Sequence, residues 1–127
     1  MNSSPKNKIL YKKALEILIL SKSVSKYLVH DFSALEKNGN ENPFIYFTGD
    51  IIKDSDSLVP EILKAENQVF QNDRLKHACL LENLTNKLYR NCQRLEHSES
   101  NGKDFVRLLR KEVKKFKKLQ RNWMMSL

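Results

Sequence analysis

Apolar residues recur at steps of three and four along most of this chain, which is the spacing of one face of an α-helix. Leu10, Ala14 and Ile17 begin the first such segment, and three further segments repeat the pattern. No segment alternates apolar and polar residues over the length of a strand. The 127 residues include three glycines and three prolines, too few for the tight hairpins of a multi-strand sheet. The sequence therefore predicts an all-α protein.

The pattern predicts four helices in a single domain spanning 1–127, at residues 8–37, 43–67, 72–97 and 103–125. Gly39 follows the first helix and can take the left-handed backbone conformation that often ends helices. Pro60 falls inside the second helix, where proline removes a backbone hydrogen bond, so we expect a bend or break near residues 56–60. Four amphipathic helices with short loops predict an antiparallel four-helix bundle.

Apolar residues also cover a wider arc of two helices than one small core can bury. Leu15 and Ile19 on the first helix, with Leu80 and Tyr89 on the third, would face water in a monomer. We therefore expect another subunit to cover them in a homo-oligomer.

The formal net charge of +8 is concentrated at the two ends of the chain. Residues 1–13 carry four lysines and no acid, and residues 103–127 carry nine basic residues against two acids. The stretch between them is slightly acidic. A concentrated positive field indicates a polyanionic partner, either nucleic acid or an anionic membrane surface.

The fourth predicted helix carries the candidate binding site. Its basic side chains lie opposite the apolar stripe, where they could neutralise phosphates without reading base sequence. Lys87, Arg90 and Arg94 form a second basic stripe on the third helix, and the two stripes would merge if these helices are antiparallel neighbours. The predicted nucleic-acid-binding residues are Arg107, Arg110, Lys111, Lys114, Lys118 and Arg121, with Arg90 and Arg94 behind them.

Two other interpretations of this helix remain open. A basic amphipathic helix that ends in Trp123, Met124 and Met125 is similar to a membrane-surface or calmodulin-binding peptide. A solvated basic face without a partner is the other interpretation. Phe116 and Trp123 share the apolar stripe, so we expect them to anchor the core rather than to stack on bases.

Residue types that support catalysis are present, but their spacing does not suit it. None of the three histidines follows a glutamate at the Glu-x-x-His spacing of a di-iron bundle. Cys79 and Cys92 are thirteen residues apart on one predicted helix, a rise of about 20 Å, so we expect two buried, reduced thiols. We predict a protein that is not an enzyme and has neither a metal site nor a cofactor.

The sequence also bears on location. No stretch approaches 18 apolar residues, and the first twenty residues lack the pattern of a signal peptide. We therefore expect a cytoplasmic protein with no membrane partner.

Residues 9–123 resemble a family of small four-helix-bundle proteins with two branches. One comprises proteins encoded in ribosomal-RNA intervening sequences (S23-type), and the other the accessory variability proteins (Avd) of diversity-generating retroelements. The resemblance rests on helix order, helix lengths and two patches. Residues 57–65, SLVPEILKA, occupy the place of the family's Ser-Val-Pro-x-Asn-Ile-x-Glu-Gly stretch, with the proline shifted by one position. The apolar run that ends at Trp123 occupies the place of the closing run of Avd-like members.

The basic charge favours the Avd-like branch. That resemblance implies a homopentamer that binds a reverse transcriptase and its structured template RNA, supporting cDNA synthesis without catalysing it. The alternative is an S23-type protein-interaction bundle with no nucleic-acid role.

Overall fold

The computed structural model describes residues 5–33, 39–40 and 42–127. These residues form five helices: α1 (Lys8–Phe32), α2 (Ile45–Asp56), α3 (Leu58–Glu66), α4 (Gln71–Glu96) and α5 (Lys103–Met125). No strand occurs within the described part of the chain. The prediction of an all-α protein is confirmed.

The helix boundaries follow the sequence pattern closely. Helices α4 and α5 begin and end within one residue of the predicted positions. Helix α1 begins at Lys8, as predicted, and extends to Phe32, while residues 34–37 of the predicted helix lie outside the described residues. Gly39 has a φ of +83°, the left-handed conformation that was expected there.

The second predicted helix is interrupted at Ser57, between α2 and α3. Pro60 is the third residue of α3 and has no N–H to donate to the carbonyl of Asp56, so the hydrogen-bond ladder cannot continue through this point. The ladder resumes where the Glu61 amide donates to the Ser57 carbonyl oxygen at 3.2 Å. The break expected near residues 56–60 is confirmed.

The helices pack as a bundle around one apolar core. Both α1 and α4 contact α5 and the bent α2–α3 unit. Phe116 is fully buried and Trp123 is 2% exposed, which confirms that both anchor the core. Phe105 and Leu108, which follow the same three- and four-residue apolar spacing along α5, are instead about half exposed. They lie at the edge of the stripe, so the apolar arc of α5 is wider than the core that it covers.

The loop between α4 and α5 is fastened to the end of α1. The Ser100 hydroxyl donates to Asp31 at 2.6 Å and accepts from the Gly102 amide at 3.0 Å. A Cβ added to Gly102 would lie 2.9 Å from side-chain atoms of Tyr27 and Leu28. Glycine at this position therefore allows α5 to start in close contact with α1.

The two cysteines differ in their surroundings. Cys92 is buried, and this burial raises the pKa of its thiol to about 12. Cys79 is exposed on α4, so the expectation that both thiols are buried is wrong for Cys79. Only one face of α4 packs against the core, and Cys79 lies outside that face.

Asp54 is an acidic side chain buried between α2 and α4. Its carboxylate lies 3.6 Å from the Lys87 ammonium and accepts from the Asn91 amide at 3.5 Å. Burial raises the pKa of Asp54 above its ordinary value of 3.8, although Lys87 opposes the shift. The free-energy cost of desolvating the ionised carboxylate exceeds the stabilisation that Lys87 and Asn91 provide.

We expect Asp54→Asn to raise the free energy of unfolding at pH 7, because the amide has no charge to desolvate. The folded protein holds the Asp54 proton more tightly than the unfolded chain does. Stability therefore falls as pH rises through the interval between the ordinary and the raised pKa. Urea denaturation at pH 3.5 and pH 7 measures this, and the gain should shrink at the lower pH. A loss of stability at pH 7 would show that the pair with Lys87 is net stabilising.

Candidate nucleic-acid interface

Four of the predicted binding residues form an unpaired basic face on α5. Lys111, Lys114, Lys118 and Arg121 are exposed, and no ion pair or side-chain hydrogen bond joins their charged groups to another described residue. Their steps of three and four place them on one side of the helix, opposite the buried stripe. We call these four residues the α5 basic face. Because no acidic side chain among the described residues neutralises it, its charge is available to an external anion.

Arg107 and Arg110 lie on the same helix but are paired with Glu96 at the end of α4. The Arg110 guanidinium donates to both Glu96 carboxylate oxygens, at 2.5 and 3.2 Å. This hydrogen bonding raises the pKa of Arg110, which stays charged. Arg107 lies 3.5 Å from Glu96 and 3.4 Å from Asp104. Both arginines were predicted as phosphate ligands, and their charge is shared with protein carboxylates.

Tyr89 of α4 joins the two helices beneath the basic face. Its hydroxyl accepts from Arg110 at 3.2 Å. The Lys117 ammonium lies 4.9 Å from the centre of its ring, and the Arg110 guanidinium lies 5.8 Å from it. Tyr89 was expected at an interface between subunits, and here it is half-buried against α5 of the same chain.

The basic stripe of α4 faces a different neighbour. Lys87 reaches Asp54 of α2, and the Arg94 guanidinium lies 5.4 Å from the centre of the Phe47 ring, also on α2. Arg90 lies between them and is exposed. The expectation that this stripe merges with that of α5 is therefore wrong, because α4 turns Lys87 and Arg94 toward α2. On the α5 side of α4, Tyr89 and Glu96 form hydrogen bonds with Arg110.

Two adjoining depressions open in the groove between α4 and α5, and Lys117 and Arg121 line both. The first holds about 190 Å³ and is otherwise lined by Tyr89, Lys114 and Lys118. The second holds about 310 Å³, and its other lining residues are Glu82, Asn86 and Gln120. We call these the cationic depression and the polar depression.

Gln120 breaks the apolar stripe of α5. Its side chain is 2% exposed, and its Nε2 has no hydrogen-bond partner among the described residues. A buried amide donor that stays unpaired costs about 1–3 kcal/mol. Sequence reasoning missed Gln120, although a polar residue at a core position of the helical repeat between Phe116 and Trp123 is a visible signal.

A second polar cluster lies at the C-terminal end of α5. The buried carboxylate of Glu66 accepts from the backbone amides of Lys6 and Asn7 at 2.9 and 3.3 Å. It also accepts from the Trp123 indole N–H at 2.9 Å. These donors satisfy the carboxylate, so Glu66 ties the start of α1 and the end of α5 to α3 as a structural element.

The described residues contain no cluster of three or more His, Cys, Asp or Glu side chains that could hold a metal ion. No helix in the described part of the chain is long and apolar enough to cross a membrane.

Comparison of the chain with protein-family models, with curated proteins and with solved structures finds no match.

Proposed function

We propose that this protein is a non-catalytic RNA-binding protein that contacts phosphates through the α5 basic face. The observation that carries the proposal is the unpaired state of Lys111, Lys114, Lys118 and Arg121, although acidic residues lie elsewhere on the same bundle. Holding four like charges on one helical face without counter-ions is unfavourable for an isolated protein. Phosphates of a nucleic acid relieve this repulsion by replacing small counter-ions.

Binding to structured RNA, measured by fluorescence anisotropy across a salt series, tests the proposal. Each phosphate neutralised by a basic side chain releases condensed counter-ions, so the affinity should fall steeply between about 50 and 200 mM salt. Affinity that is weak and insensitive to salt would favour the interpretation of a solvated basic surface.

The family resemblance supplies a more specific form of this proposal. In that form the RNA is the structured template of a diversity-generating retroelement, and a reverse transcriptase is the protein partner. Co-purification with a reverse transcriptase encoded beside the gene, dependent on the template RNA, would support it. The alternative is an S23-type protein-interaction bundle, for which RNA would bind no better than a neutral polymer.

The proposed architecture is an antiparallel bundle that assembles into a homo-oligomer, for which the resemblance favours a pentamer. Two contacts between α1 and α5 support the antiparallel arrangement. Lys13, near the start of α1, lies 3.1 Å from Glu112, whereas Tyr27, near the end of α1, contacts Phe105 at the start of α5. The sequence order of the contacts therefore runs in opposite directions along the two helices. On the outer surface, Ile19 is 67% exposed and Leu80 is 45% exposed. Large exposed apolar side chains of this kind favour self-association.

Light scattering is expected to give a particle mass several times that of one chain. Ile19→Glu places a charge in the expected interface and should lower the mass, whereas Asn122→Glu, at an exposed position on α5, serves as a control. A stable monomer at micromolar concentration would contradict the oligomeric form of the proposal.

A further inference from the structure

The cationic and polar depressions together match the two chemical parts of a nucleotide. Lys114, Lys118 and Arg121 line the first depression with positive charge suited to a phosphate. The second adjoins it and presents hydrogen-bonding groups instead. Because Lys117 and Arg121 border both, a ligand with an anionic end and a polar end could occupy them at once.

The polar depression holds unused hydrogen-bonding capacity. The Glu82 carboxylate makes no ion pair in the described structure, although Lys117 and Arg121 line the same depression. Asn86 lines the same depression and carries an amide donor. The depression therefore combines a carboxylate acceptor with an amide donor.

We propose that the α4–α5 groove binds one unpaired guanine nucleotide of an RNA strand, an inference that rests on the proposed RNA-binding function. Guanine presents two adjacent donors, N1–H and N2–H, beside the O6 acceptor. A carboxylate accepts from the two donors, and an amide N–H donates to O6. In this arrangement Glu82 holds the N1–N2 edge, and the Asn86 amide donates to O6.

The phosphate of the same nucleotide lies in the cationic depression, between Lys114, Lys118 and Arg121. Tyr89 lines that depression, and Lys117 and Arg110 already lie over its ring. The base is therefore recognised by its edge and not by stacking on Tyr89. Edge recognition requires an unpaired base, which single-stranded loops and bulges of structured RNA provide.

Two oligonucleotides that differ at one base test this inference. One is a ten-residue oligouridylate with a single central guanosine, and the other carries adenosine at that position. The guanosine oligonucleotide should bind about tenfold more tightly in fluorescence anisotropy. Glu82→Gln should abolish this preference, whereas Glu99→Gln on the α4–α5 loop, a matched control, should retain it.

The outcomes separate this inference from the proposed function. Equal affinity for the two oligonucleotides, together with salt-dependent binding of structured RNA, overturns guanine recognition and leaves the proposed function standing. A preference that survives Glu82→Gln overturns the placement of the base in the polar depression. Absence of binding to every RNA overturns both.

Discussion

Replacing Lys111, Lys114, Lys118 and Arg121 by glutamine is expected to weaken binding of structured RNA by about a hundredfold or more at 100 mM salt. Each lost phosphate contact should also lower the slope of log affinity against log salt by about one. The effect should be large because none of the four charges is paired with a carboxylate in the part of the chain that the structure describes. Helical content should be preserved, since these side chains are exposed and glutamine is a good helix former.

The matched control replaces Lys12, Lys22, Lys26 and Lys76, which are also exposed, by glutamine. It removes the same number of positive charges from α1 and α4. If the position of the charge decides binding, this variant should lose far less affinity than the α5 variant. Equal losses in the two variants would show that RNA responds to net charge alone.

The second large effect concerns stability. Trp123→Ala removes a ring that is 2% exposed and should lower the free energy of unfolding by about 3–5 kcal/mol. It also removes the indole donor to the buried Glu66 carboxylate. Urea denaturation followed by circular dichroism measures the loss.

Two further variants separate the contributions of Trp123. Trp123→Phe keeps much of the ring but loses the N–H, and should cost about 1.5–3 kcal/mol because the acceptor is charged. Met125→Ala, at a side chain that is 83% exposed, should change stability by less than about 0.5 kcal/mol. A loss below about 1 kcal/mol for Trp123→Ala would contradict its role as a core anchor.

The helices and their breaks were predictable because they depend on local chemistry. The backbone freedom of Gly39 and the missing N–H of Pro60 act within one turn of their own positions. The apolar period of α5 likewise identifies Phe116 and Trp123 as core residues. These signals lie within short windows of sequence and need no knowledge of the neighbouring helices.

The partners of the basic side chains were not predictable in the same way. Periodicity shows that Lys87 and Arg94 share a face of α4, but not that this face meets α2. Glu96 neutralises Arg110 from across a loop, fourteen residues earlier. Such pairs depend on how each helix is rotated about its axis within the bundle. The α5 basic face could therefore be identified only once the structure showed that Arg107 and Arg110 pair with Glu96.

Lysine footprinting tests most directly where RNA binds. The protein is acetylated with and without saturating structured RNA at low salt, and the modification rate of each lysine is read by mass spectrometry. RNA should slow acetylation of Lys111, Lys114 and Lys118 several-fold and leave Lys12, Lys22 and Lys26 unchanged. Unchanged rates along α5, or protection confined to α1, would contradict the assignment of α5 as the RNA-binding surface.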